Sequence, residues 1–252
     1  MYKGKCVNNE FDWKESKYIF NGREISATSD ATQLSPQSWL VASCIARCYQ
    51  EAFPLYCSGH LLDLGCGKVP FYEAYKSYIR ECTCVDWPNS LHKSIHLDME
   101  CDLNALIPLD SNTCDTILLS DVLEHIYNPH QLLSECQRIL NKNGYLIMNV
   151  PFLYWIHEQP YDFYRYTKFA LLRMAEEAGF RVCVMRAVGG GLEVFADLAA
   201  KSAAVIPLIG GIIGWIVQRI VWQFSRTRVG KTILSKSSNL IPLGYFCVFQ
   251  KI

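Results

Sequence analysis

The sequence predicts an α/β fold: a seven-stranded, mostly parallel sheet with helices on both faces, an N-terminal helical extension and an apolar helical insertion before the last strand. Three observations predict it. From His60 onward short apolar runs alternate with longer amphipathic ones, as strands joined by crossover helices do. One such run, 61–64, leads directly into the glycine turn Gly65-Cys66-Gly67 and then into a helical pattern. With 252 residues, half of them apolar, the chain can bury one α/β core of ordinary size but not two.

Residues 1–55 read as the extension. They are polar with scattered aromatics as far as residue 34, and then Ser35-Pro36 opens an apolar repeat at helical spacing over 37–53. The main domain, 56–252, offers strands at 61–64, 82–86, 94–97, 116–119, 145–150, 181–185 and 245–250. Helices are expected at 70–78, 129–140 and 168–178, the last two closed by Asn143-Gly144 and by Gly179. The insertion covers 189–235.

Charge and cysteine usage exclude several classes. Lys+Arg and Asp+Glu balance at 24 each and no basic run occurs, so no field attracts a phosphate backbone and nucleic acid is not an expected partner. The start of the chain lacks the apolar stretch of a secretory signal, so a cytoplasmic protein is expected. Twelve cysteines are scattered without a Cys-x-x-Cys pair and read as reduced, buried thiols. His92 and His96 share a face, but no thiol or carboxylate cluster completes a site, and no metal is assigned.

The glycine turn carries the first chemistry. Without a Cβ, Gly65 and Gly67 can take positive φ and let a ligand meet the backbone, while the following helix start offers unpaired N–H groups. Asp86 ends the next strand, close to the spacing of about 20 residues at which a carboxylate meets ribose hydroxyls. A dinucleotide loop would want Gly or Ala where Pro70 stands, which argues against a nicotinamide cofactor. A sulfonium nucleoside makes no such demand, and Asp63 suits its positive charges. The competing reading is an ordinary strand-to-helix turn whose glycines only satisfy geometry.

Four stretches read in order, LLDLGCGKVP at 61–70, VDWP at 85–88, DLNALIPLDSNTCDTILLSDVLEHI at 102–126 and LLSECQRILNKNGYLIMNVP at 132–151, resemble the class I S-adenosylmethionine-dependent methyltransferases. The likeness is to the type-11-like, ubiquinone-biosynthesis branch and runs over about 61–184. It implies a Rossmann-like sheet and S-adenosyl-L-methionine as cofactor. By that resemblance Asp63, Gly65 and Gly67 form the loop on the methionine side, Asp86 holds the ribose, Trp87 lies against the adenine, Asp102 and Leu103 read the adenine edge, and Ser120, with Asp121, lines the methionine portion. The sequence departs from the commonest loop at Val69, where a third glycine is usual.

Ligands in such sheets sit beyond the carboxyl ends of the strands, so the loop after the fifth strand, 151–167, faces the cofactor crevice. It is dense in aromatic rings and also holds His157, Glu158, Asp162 and Arg165. Methyl transfer needs alignment above all, and a base only for a hydroxyl acceptor. His157 or His125 is the expected proton acceptor, with Asp162 or Glu158 orienting it, and Tyr161, Tyr164 and Arg165 are expected to touch the acceptor. The plainer readings are a helix-start histidine at 125, a loop histidine at 157 and a local Asp162–Arg165 ion pair. The pattern P-x-D-x-x-R-Y-T resembles methyltransferases of bacterial polysaccharide modification, which implies a sugar hydroxyl.

Residues 203–222 are almost wholly apolar, and three readings stay open for them: helices packed internally or over the substrate, peripheral contact with a membrane at its inner face, or a transmembrane helix. Gln218, Arg219, Pro207 and three glycines interrupt the run. The expected function is methyl transfer to an oxygen of a small-molecule, sugar or lipid-linked acceptor. The alternatives are a non-catalytic, membrane-associated scaffold on the same fold and a nicotinamide oxidoreductase.

Overall fold

In a computed structural model, residues 7–22, 24–90 and 94–252 are described. A hairpin of β1 (Tyr18–Asn21) and β2 (Glu24–Ala27) precedes the long helix α1 (Trp39–Tyr56). The main sheet takes β3 (Gly59–Leu64), β4 (Ile79–Asp86), β5 (Met99–Glu100), β6 (Cys114–Ser120), β7 (Leu140–Pro151), β8 (Phe180–Val188) and β9 (Gly244–Lys251). Its order is β5-β4-β3-β6-β7-β9-β8, with β9 antiparallel to both neighbours and the other pairs parallel. The expected seven-stranded, mostly parallel sheet is therefore present. Strand order reverses between β3 and β6, which opens a crevice at their carboxyl ends.

Two apolar layers sandwich the sheet. On one face the aromatic side of α1 (Tyr49, Phe53) meets Phe71 and Tyr75, beside inward residues of β3 and β4. On the other, α3 (Pro129–Ile139) and α4 (Lys168–Glu177) cover Leu62, Ile117, Leu146 and Phe249. Gly179 closes α4 at φ +79°, as expected.

Four local expectations need correction. The extension contains the β1–β2 hairpin besides its helix, and α1 runs to Tyr56 rather than residue 53. The helix expected at 70–78 is a single turn, α2 (Tyr72–Tyr75), because β4 begins at Ile79 and the buried rings of Phe71, Tyr72 and Tyr75 pin the chain first. The strand expected at 94–97 lies later, at Met99–Glu100: the Asp98 carboxylate takes the Cys84 N–H at 2.8 Å, and the His96 ring is held at 2.7 Å by the Asn8 carbonyl. Asn143-Gly144 does not close α3, which ends at Ile139; Asn143, at φ +68°, instead kinks the long strand β7. His92 lies outside the described residues.

The insertion forms α5 (Gly191–Ala203), α6 (Gly210–Ser225) and α7 (Arg228–Ser237). Helices α5 and α6 approach closely because Gly214 lies against Ala200; a Cβ there would sit 3.1 Å from the Ala200 carbonyl. The buried Gln218 ties α6 to the start of α1, donating to Pro36 O and accepting from Leu40 N, both at 2.8 Å. No described helix is long and apolar enough to cross a membrane.

Candidate active site

The glycine turn leaves β3 with Gly65 at φ +71° and Gly67 at φ +49°, and the N–H groups of Gly65 and Cys66 both donate to Val85 O on β4. A Cβ on Gly65 would lie 2.5 Å from Val122, so the turn after β6 closes on this position. Val69, standing where a third glycine is usual, itself takes φ +50°. That conformation costs about 1–2 kcal/mol for a side-chain-bearing residue, and full burial of the valine, worth about 1.5–3 kcal/mol, offsets it. The Trp13 indole fixes the turn from outside by donating to Val69 O at 3.0 Å.

Asp86 lies across this loop. One carboxylate oxygen accepts from Gly67 N at 3.1 Å and the other from Trp87 N at 2.7 Å, leaving lone pairs on both. Asp63 is buried at the end of β3, where desolvation, helped by the charge of Asp86, pushes its carboxyl up to about 7. A buried acid strained in this way is relieved by a cationic ligand, so the loop fits a nucleoside that carries an ammonium and a sulfonium. Trp87 meets the edge of Tyr161 with ring centroids 4.9 Å apart. Asp102 is exposed and bonded to Asn104 N at 2.9 Å, whereas Leu103 is buried in the core beneath.

At the end of β6 the Ser120 hydroxyl donates to Asn149 Oδ1 at 2.9 Å, and Asp121 follows at φ +54°. The Asp121 carboxylate accepts from Asn149 Nδ2 and from Lys17 Nζ, the latter at 2.8 Å. Burial opposes the Lys17 charge, but Asp121 overrides it and holds the ammonium proton tightly. Asp121 is expected, with Ser120, to line the methionine portion of the cofactor, but its partners Lys17 and Asn149 are not singled out in the sequence, since only the fold brings residues 104 and 28 positions apart together.

Beside them lies a cavity of about 160 Å³ lined by α1, the carboxyl ends of β6 and β7, and the loop after β7; Asp121, Glu124, His125, Tyr154 and His157 face it. The two histidine rings stand 4.8 Å apart. His125 Nδ1 is 3.0 Å from Tyr161 O, and His157 Nδ1 is 3.2 Å from Asp162. Desolvation, then the neighbouring His125, lowers the His157 pKa. Glu124 is fully buried between them, and burial, followed by the charge of Asp121, raises its carboxyl well above the usual range.

Arg165 is engaged within the loop, gripping Asp162 through Nη1 at 2.6 Å and Nη2 at 2.7 Å and donating to Trp155 O at 2.9 Å. Although burial alone would raise the Asp162 carboxyl, this fork and the His157 N–H hold it down to about 2. Tyr164 reaches Tyr127 O at 3.1 Å, and the half-exposed Tyr161 rises over Trp87. The structure thus brings His125 and His157 together at the cavity wall, with the Tyr161 carbonyl and the Asp162 carboxylate behind their rings and Arg165 bracing Asp162.

The comparison with known families decides the larger question: residues 62–148, the span of the glycine loop, Asp86 and the Leu123-Glu124-His125 turn, match a methyltransferase domain. Over residues 62–148 the chain is therefore similar to the methyltransferase domains of this family. Among curated members of these methyltransferases it is similar to the ubiquinone biosynthesis O-methyltransferases of Coxiella burnetii, with 24% identity over 99 residues, 36% of this chain and 42% of the relative. It is also similar to that of Maricaulis maris, with 32% identity over 97 residues, 34% and 38% of the two chains. The match therefore spans about two fifths of the length of these relatives. Among solved folds, a methyltransferase from Archaeoglobus fulgidus superposes with a TM-score of 0.53 at 19% identity, covering 85% of this chain and 97% of that one. The [4+2]-cyclase SpnF superposes at 0.55 with 16% identity, covering 94% and 87%. S-adenosyl-L-methionine is the cofactor this methyltransferase family uses.

Proposed function

We propose that the chain transfers the methyl group of S-adenosyl-L-methionine to an oxygen of a small acceptor seated in the cavity beside Asp121. In this reading Asp63, Gly65 and Gly67 hold the methionine side, Asp86 the ribose, Trp87, Asp102 and Leu103 the adenine, and Ser120 the approach to sulfur. The O-methyltransferase activity named for the ubiquinone-biosynthesis relatives supports an oxygen acceptor. As the new C–O bond forms, the S–CH3 bond breaks and its electron pair stays on sulfur, so the step needs no co-reactant. The acceptor proton leaves at the group formed by His157, His125 and Asp162. The observation that supports the reading is that His125 and His157 line a cavity whose wall also includes Asp121, at the carboxyl end of β6.

Calorimetric titration with S-adenosylhomocysteine, in parallel with NADH and repeated on Asp86→Ala, tests the cofactor half. Micromolar S-adenosylhomocysteine affinity that falls at least 100-fold in the variant is expected. Folded protein that binds neither ligand would favour the scaffold alternative, and NADH binding alone would favour an oxidoreductase.

The acceptor is proposed to be lipid-linked, carrying a sugar or another hydroxyl group, and to be met at a membrane surface. Leu208 is 98% exposed, Val205 81%, Ile220 62% and Ile212 60%, so the insertion turns an apolar face outward. After Asp197 no acidic residue occurs to position 252, while Arg226, Arg228, Lys231 and Lys236 are all exposed, a charge pattern complementary to anionic lipid. Helix α5 connects this face to the cavity, since Lys201 lies 3.5 Å above the ring of Tyr154. Co-sedimentation with phosphatidylglycerol-containing vesicles, lost in Leu208→Asp/Ile212→Asp and weakened by salt, is the expected result. Equal recovery with and without vesicles would refute the membrane contact.

A further inference from the structure

Glu124 presents a problem of its own. Its side chain is completely buried, yet neither carboxylate oxygen accepts a hydrogen bond from any neighbouring described residue. A buried carboxylate without partners is costly. What surrounds it is a pair of imidazole nitrogens: His125 Nε2 and His157 Nε2 each stand 3.8 Å from Glu124 Oε1. One ligand atom from each of the three residues fits within a span of 4.8 Å.

The tautomers are set from behind. His125 Nδ1 is 3.0 Å from the Tyr161 carbonyl, an acceptor only, so Nδ1 carries the proton and Nε2 offers its lone pair toward Glu124. His157 Nδ1 lies 3.2 Å from the Asp162 carboxylate, close enough for electrostatic attraction though not aligned as a hydrogen bond, and Arg165 in turn clamps that carboxylate through both oxygens. A carboxylate behind a histidine whose far nitrogen faces inward is the arrangement that orients metal-binding imidazoles.

We infer that Glu124, His125 and His157 form a two-histidine, one-carboxylate site for a divalent first-row transition metal ion. Nitrogen donors select such an ion over magnesium or calcium, and three protein ligands leave coordination positions open. Ligand atoms around one ion at bond lengths of about 2.0–2.2 Å stand roughly 3–3.5 Å apart, so the two 3.8 Å separations close by a few tenths of an ångström and the full 4.8 Å span of the group by more, through rotation of the side chains around the ion. All three residues line the cavity, so the open positions face the space assigned to the acceptor. The consequence for catalysis rests on the methyl-transfer reading and revises its proton step: an acceptor hydroxyl entering an open position would be made more acidic, so that the proton assigned above to the histidines would pass to solvent while both Nε2 atoms serve as ligands. Metal binding itself does not depend on that reading. Sequence spacing concealed the site because the ligands come from two segments, 124–125 and 157, on different strand-end turns.

The full-length chain, stripped by chelator, is titrated with Co2+ alone and followed by its visible d–d absorption, with Mg2+ as a competitor. One ion per chain, unaffected by excess Mg2+, is expected, with affinity falling at least tenfold in His157→Gln and in Glu124→Gln. Circular dichroism and S-adenosylhomocysteine titration on the same samples report folding and the cofactor site. His157 lies at the cavity rim, so its variant keeps the test decisive if Glu124→Gln fails to fold. Absence of Co2+ absorption, binding unchanged in His157→Gln, or a thiolate charge-transfer band placing the ion on cysteines would each overturn the inference. S-adenosylhomocysteine binding that persists in any of those cases would leave the methyl-transfer reading standing, with the histidines themselves taking the proton.

Discussion

On the cofactor side of the crevice the positioning bonds run from the backbone of the glycine turn to the adjacent strand: the N–H groups of Gly65 and Cys66 donate to Val85 O, and that of Gly67 to the Asp86 carboxylate. On the acceptor side they are side-chain bonds between distant segments, as when Lys17 reaches Asp121, Gln218 reaches Pro36 or Lys201 covers Tyr154. The first construction needs only a strand, a tight turn and two acids in fixed register, and it can be carried on many chains. The second depends on what happens to be attached to the sheet, here the N-terminal hairpin and α5–α7. On the proposed function, a common cofactor and a particular acceptor would therefore be held by different parts of the molecule.

The largest expected effect concerns the cofactor side. Burial beside Asp86 raises Asp63 from an ordinary carboxyl value to about 7, so the folded state binds a proton that the unfolded state releases at lower pH. Its stabilising contribution is full below the unfolded value near 4 and is lost as pH rises through 7. Across that window cofactor-free protein should lose on the order of 4 kcal/mol from this one group. Denaturant titrations at pH 4.5, 6 and 7.5 should show the decline, and Asp63→Asn should flatten it. Saturating S-adenosylhomocysteine, whose ammonium favours the ionised acid, should flatten it as well. A wild-type slope identical to that of Asp63→Asn would place the strain elsewhere.

Next in size is the brace of the acceptor side. Arg165→Met leaves Asp162, whose side chain is only 2% exposed, without its fork. Breaking a buried pair from one side costs about 3–5 kcal/mol, and the partial exposure of the guanidinium brings the expectation to about 3. Thermal melts should report that loss together with faster proteolysis within 151–167. S-adenosylhomocysteine affinity should stay within twofold of wild type. A parallel loss of cofactor affinity would show that the two sides are mechanically one.

The same division governs what could be read from the chain before folding. The strands, the glycine loop and its acids were legible because alternation, a Gly-x-Gly turn and a carboxylate about 20 residues on are local signals. Legibility failed where a long-range bond overrode a local pattern: Asp98 and His96 displaced the expected third strand, and buried rings cut α2 to one turn. The β1–β2 hairpin was missed for the same reason, since its inner residues find their partners beyond the local sequence, Ile25 and Ala27 on α1 and Tyr18 at Phe71. Arg165 was legible as a conspicuous residue, but its choice between brace and acceptor ligand turned on Asp162 and two carbonyls that only the folded loop supplies.

The smallest effect probes whether the cofactor loop is strained or merely unusual. Val69 adopts the left-handed conformation that glycine takes freely, so Val69→Gly removes a conformational cost of about 1–2 kcal/mol. It also forfeits the burial of a valine with no solvent exposure, about 1.5–3 kcal/mol, and adds the unfolded-state freedom of glycine, about 0.5–1 kcal/mol. The balance is a net destabilisation of about 1 kcal/mol, small enough that chemical denaturation rather than a melt should measure it. Cofactor affinity should not change, because the backbone path is already the one glycine would follow and the Trp13 indole bonds the carbonyl whatever the side chain. A stabilised variant would mean that the packing of Val69 against its aromatic neighbours is worth less than its burial implies, and that the loop carries strain the rest of the fold sustains.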